Sequence, residues 1–166
     1  MKLLVKITLF LCLILSIIST SNAKTCQTDN EYLQAMPDND LTINSAHDQP
    51  LELGARMAVN DVSRAAGFQW VCESVIEKKP ILFVFDEPGI PQFHMRNVVA
   101  PIDIAFIDSE GRIESIQSMQ PYVLISKHRP LYSPARKVIA ALEAHKGFYQ
   151  KHGIEVGALV DWGSLK

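Results

Sequence analysis

The chain predicts a mainly β domain, arranged as a compact sandwich or a partly open barrel with two or three short helices. Three observations carry this. Short apolar segments recur roughly every ten residues with turn signals between them, the spacing of an all-β fold. Ile81-Leu82-Phe83-Val84-Phe85 is a continuous apolar run rich in branched and aromatic residues, as a strand buried on both faces requires. Long amphipathic stretches alternating with strands, the mark of a parallel α/β sheet, are missing from the sequence.

The N-terminus reads as an export signal. Lys2 and Lys6 precede an apolar core from Leu9 to Ile18, and Ser21-Asn22-Ala23 places small residues at a cleavage point after Ala23. The apolar core is shorter than the roughly 20 residues a spanning helix needs, so a cleaved signal is expected over an uncleaved anchor. Ala23-Lys24-Thr25 before Cys26 lacks the Leu and small apolar residues of a lipoprotein site. A periplasmic or secreted chain with no lasting membrane anchor follows. Residues 24–40 are polar and read as a flexible leader, with a single domain from 41 to 166. The whole sequence has 16 Lys and Arg against 18 Asp and Glu; losing Lys2 and Lys6 leaves 14 against 18. No basic cluster interleaved with aromatics occurs, so nucleic acid is not an expected partner. Cys12 leaves with the signal. Cys26 and Cys72 can pair in an oxidising compartment, and the alternative is an inert buried Cys72 beside a free Cys26.

Within the domain, Leu41-Thr42-Ile43 alternates as a strand, and Leu51-Glu52-Leu53 and Met57-Ala58-Val59 follow a turn near Asp48-Gln49-Pro50. Asn60 is an N-cap, Asp61 suits the positive end of a short helix, and Gly67 can end it with φ > 0. A second short helix is expected between Trp70 and Lys79, stopped by Pro80. After the central strand at Ile81–Phe85, Glu87-Pro88-Gly89 signals a type II turn returning the chain through Gln92 to Asn97. Ile102, Ile104 and Phe106 alternate toward one face and Asp103, Ala105 and Ile107 toward the other. Asp108 to Gly111 is a hairpin turn, and Ile113 and Ile116 in the return strand fall out of period-two phase, which implies a bulge. Tyr122–Ile125, Val138–Leu142 and Val156–Val160 are the last strand candidates, with a Pro-bounded loop from Ser126 to Pro134. Ala135 to Ala144 has a composition that also suits a helix.

The segment Phe93 to Asp108 sets polar side chains inside an otherwise core-like run, and it resembles the signature of the bacterial and archaeal family called domain of unknown function 192. Gly67-Phe68-Gln69, Ile81 to Phe85, Asp108 to Ile113, and Ala141-Leu142-Glu143 with Gly147 are similar to further family elements, so the likeness spans Leu51 to Asp161. The resemblance implies a compact β-sandwich of jelly-roll type with short helices, and implies no activity. His94 stands where the family usually carries Trp, and Gly157-Ala158 where Gly-Asp is common.

Candidate chemistry centres on the same stretch. Read as a strand, it puts Phe93, Met95 and Asn97 on one face and His94 and Arg96 on the other. Asn97 and Asp103 around Pro101 then form a polar recess over an apolar floor, the character of a site for a small molecule or a partner. The plainer reading is that both side chains bond the backbone of the Ala100-Pro101 crossing. Paired carboxylates from Asp103, Asp108 and Glu143 would instead suit a hydrolase or lyase. His94, Met95, Met119 and His128 are the soft donors a copper site would need, without close ligand spacing, and two Cys without a paired His motif make no zinc set. Nucleophile elbows, phosphate loops and dinucleotide fingerprints are absent as sequence patterns, so no cofactor is expected. The candidate ligand-binding set is Phe93, His94, Met95, Asn97, Asp103 and Glu143.

Overall fold

The computed structural model describes residues 26–45, 49–122 and 125–163. The chain runs α1 (Glu31–Ala35), β1 (Asp38–Asn44), β2 (Leu51–Ala58), α2 (Asp61–Ala66), α3 (Glu73–Ile76), β3 (Ile81–Gly89), β4 (Phe93–His94), β5 (Ile102–Ile107), β6 (Ile113–Met119), β7 (Leu131–Tyr132), β8 (Val138–His145), α4 (Phe148–Lys151) and β9 (Leu159–Asp161). Seven strands form one sheet in the order β6-β5-β8-β3-β2-β1-β9, and β4 pairs with β7 apart from it. The apolar run at β3 is central, as its composition requires.

The large sheet curls into a half-barrel. Its two edges meet near the β5–β6 hairpin, where Ile113 N donates to Ala158 O at 2.9 Å and Val160 N to Gly111 O at 2.8 Å. Pairing the edges protects backbone groups that an open sheet would leave exposed. Neighbouring strands run antiparallel except β2 and β3. A parallel pair needs a crossover, and α2 and α3 supply it.

Each sheet face buries its own core. Ile81, Phe83, Ile102, Ile104 and Phe106 pack on one side with Leu33, Phe68, Val71, Ile76 and Met95. Leu82, Ala105, Ile107, Leu142 and Val160 pack on the other with Phe148 and Tyr149 of α4. The alternation expected for β5 is thus realised, and so is the bulge: Phe106 faces Ser115 while Ile107 faces Ile113.

Several expectations need correction. The supposed leader is folded: Asn30 caps α1 through Leu33 N at 2.9 Å, and Leu33 and Met36 are buried. Two apolar residues three apart suffice here because a Cys26–Cys72 disulfide, with Cα atoms 4.8 Å apart, holds the segment against the body. Glu87-Pro88-Gly89 makes no turn but extends β3, with Gly89 opposite Val138 beyond an irregularity. Regular pairing in the return segment ends at His94. The helix expected across Trp70–Lys79 shrinks to α3, because Trp70 sits at φ 62°. The Val138–Leu142 strand candidate is borne out as β8: pairing with β3 and β5 on its two edges and burial of its two faces in the two cores override the helical propensity of Ala135 to Ala144. At the C-terminus the strand begins only at Leu159, and the Ser126–Pro134 loop contains β7. Among the described residues there are four short helices, one more than the upper expectation. The signal segment and part of the Tyr122–Ile125 candidate lie outside the described residues.

Candidate functional site

A cavity of about 190 Å³ opens between the large sheet and the chain that crosses from α2. Its floor is Glu143 of β8. The register sets Glu143 between Ile81 of β3 and Ile104 of β5, so the carboxyl rises from the centre of the sheet, 5 % exposed. No hydrogen bond or ion pair reaches it among the described residues. Burial alone pushes its pKa up to about 8.

The walls are aromatic. Phe83 and Phe85 project from β3, Phe68 comes from the segment after α2, and Phe93 from β4. Phe83 and Phe93 meet at 87° with centroids 5.1 Å apart. The roof depends on Gly67, whose φ of +46° ends α2; a Cβ there would lie 3.4 Å from Phe83 Cζ and 3.7 Å from Glu143 Oε2. A glycine both permits the backbone angle and lets the chain pass close over the carboxyl. Asn60 fixes the other end of α2 by a reciprocal cap with Ser63. Arg64 lines the rim, its guanidinium held by Val84 O at 2.8 Å, Asp61 at 2.8 Å and Asp86 at 3.4 Å.

The expected residues do not gather as one recess. Phe93, His94 and Glu143 line the cavity, and Met95 lies fully buried beneath the surface. Asn97 adopts φ 60°, gives its side-chain amide to Gln69 at 2.9 Å and accepts from Trp70 N at 2.8 Å through its carbonyl. It thereby holds the cavity's Gln69 wall, and its Oδ1 is buried without a partner among the described residues. Asp103 points the other way. It pairs in register with Ala144 while Ile104 pairs with Glu143, so the two carboxyls leave opposite faces of the sheet. The polar recess of Asn97 with Asp103 therefore does not form, and the carboxylate pair is not made. Asp103 instead ties β5, β6 and the start of α4 together, accepting from Ser118 Oγ at 2.7 Å, Gly147 N at 2.7 Å and Lys146 Nζ at 3.2 Å. Asp108 is a turn residue, accepting from Glu110 N and Arg112 N.

Of the soft donors, Met95 and Met119 are core side chains and His94 and His128 are exposed. Among the described residues no three His, Cys, Asp or Glu side chains cluster as a metal site would require. A wider groove of about 860 Å³ lies on the far side of the Ala65–Gln69 wall, between α1 and α2. Its acids Asp29, Glu31 and Asp61 are exposed, and among the described residues no buried unpaired group lines it. Gly67 was legible as a helix stop and Phe83 and Phe85 as strand residues, but their convergence with Phe68 on Glu143 was not, because it depends on the crossover from β2 to β3.

The family model described as "Uncharacterized ACR", domain of unknown function 192, matches residues 42–162. The chain belongs to that family. Two solved structures share the fold. One, from Novosphingobium aromaticivorans DSM 12444 and described as a protein of unknown function, has a TM-score of 0.67 at 23 % identity, covering 82 % of this chain and 99 % of that one. The other, from Sinorhizobium meliloti 1021 and described as a candidate transcription regulator, has a TM-score of 0.66 at 22 % identity, covering 76 % and 94 %. None of the curated proteins matches. No helix among the described residues is long and apolar enough to cross a membrane.

Proposed function

We propose that this protein is an exported domain that binds a small molecule in the cavity over Glu143. The observation that carries the reading is a carboxyl, 5 % exposed, that meets no donor and no cation among the described residues while facing an open space walled by phenylalanines. Burying a polar group without a partner destabilises a fold, and an isosteric apolar residue would pack here without that penalty. Such a group is retained where something outside the chain completes it. Phe93 and His94 at the mouth and Gln69, held by Asn97, form the rest of the site. The acidic balance of the chain gives no support to a nucleic-acid role, whatever the description of the Sinorhizobium protein.

The test is thermal stabilisation of the disulfide-bonded domain by metabolites, sugars and metal ions, since a ligand of the native state at 100 times its Kd adds about 2.7 kcal/mol. Val98→Phe, which fills the cavity from its wall, should abolish the response while the variant stays folded. Stabilisation that survives Val98→Phe would place the ligand elsewhere. Export is supported by the N-terminal pattern and by a disulfide suited to an oxidising compartment. Sequencing the N-terminus of protein recovered outside the cytoplasm should begin at Lys24; an intact Met1 there would remove this part of the reading.

A further inference from the structure

We infer that the ligand of this cavity is a small organic cation, an amine or quaternary ammonium head group, whose charge is met by the Glu143 carboxylate within phenylalanine walls. This rests on the cavity being the binding site. The charges around it leave one sign unanswered. Arg64 is already engaged by Val84 O, Asp61 and Asp86. His94 stands exposed at the mouth, with Nδ1 accepting from Arg96 N at 3.3 Å. β3 and β5 set Ile81, Phe83, Phe85 and Ile104 on the carboxyl's side of the sheet, while Asp103 and Tyr149 lie behind it. An anion brought onto the ionised Glu143 would meet a like charge, whereas a cation completes it.

The walls favour the same choice. Phe68, Phe83, Phe85 and Phe93 are apolar, but each ring carries a negative face that attracts a cation where an aliphatic wall would not. Phe83 and Phe93 stand nearly perpendicular, which suits a compact head group better than a flat ring. A volume of about 190 Å³ is below that of drug-sized sites, so the bound part is small.

Binding must ionise Glu143. Since burial holds its pKa near 8, a cation entering below that pH expels one proton to solvent. Affinity therefore rises about tenfold per pH unit up to about 8 and then levels off. His94 at the mouth and Arg64 at the rim are the other ionisable side chains that line the cavity.

The experiment is titration calorimetry of the disulfide-bonded chain at pH 6 to 9 with methylammonium, trimethylammonium, choline, the neutral choline isostere 3,3-dimethylbutan-1-ol and the anion 3,3-dimethylbutanoate. At least one cation should bind, with affinity climbing toward pH 8, a buffer-dependent heat of proton release, and at least a tenfold loss in Glu143→Gln. The proton release and the pH profile are read on the unaltered chain, so they hold even if that variant folds poorly. If the alcohol or the carboxylate binds as tightly as the cations and Val98→Phe abolishes it, the cation inference falls and the cavity stands. If none of the five binds, the cation inference falls, and the cavity is left to the broader ligand screen. Cation binding unaffected by Glu143→Gln also overturns the inference.

Discussion

Replacing Glu143 by Gln should stabilise the protein most at alkaline pH, because the native carboxyl has to stay protonated where the unfolded one ionises freely. Its pKa is about 8 in the fold against 4.5 in the open chain. Below 4.5 both states hold the proton and stability is unaffected by this group. Between 4.5 and 8 the unfolded state releases a proton that the native state keeps, so stability falls as pH rises, and above 8 the loss is complete. At about 1.4 kcal/mol per unit, the full penalty is on the order of 5 kcal/mol, of which roughly 3 to 4 develops between pH 5 and pH 8. Glutamine keeps the shape and removes the ionisation, so the gap between variant and parent should widen by that amount. At this size the corresponding Tm difference is on the order of 10 °C. Urea unfolding of both proteins at half-unit pH steps measures it, and every other titrating group cancels in the difference. A gap that stays constant from pH 5 to pH 8 would show that Glu143 is solvated or paired, and would remove the basis for the ligand site.

Cleaving the Cys26–Cys72 bond by Cys→Ser at both positions should cost up to about 4 kcal/mol, from the 46-residue separation it closes; an unchanged urea midpoint on reduction would contradict this. Asp103→Ala should lose about 3 kcal/mol by stranding Gly147 N and Ser118, yet leave ligand affinity within twofold, since Asp103 serves the opposite face. A large affinity loss in a folded Asp103 variant would revive it as a site residue. Gly67→Ala should destabilise by about 1–3 kcal/mol through its positive φ and should narrow the cavity, seen together as a lower Tm and weaker binding.

Much of the site was implicit in alternation. Because Ile102, Ile104 and Phe106 face one core, period two already sends Asp103 to the opposite side, away from Asn97, and the recess reading set that rule aside. The leader was misjudged for a related reason. A count of apolar residues in 24–40 is low, but Leu33 and Met36 fall on one side of a capped turn and are held there by a disulfide formed with a residue far along the chain. The Pro88-Gly89 signal failed because β8 lies beside it as a partner, and pairing with Val138 outweighs a local turn preference.

The mainly β class, the central strand at Ile81–Phe85, the cap at Asn60, the hairpin at Asp108–Gly111 and the bulge after it are local properties, set by periodicity and by the φ demands of single residues. The pairing of β8 between β3 and β5, the parallel crossover that lowers Gly67 onto the sheet, and the isolation of Glu143 among phenylalanines were decided only in three dimensions. They depend on which strands become neighbours, and a carboxyl acquires an altered proton affinity only once distant segments have excluded water from around it.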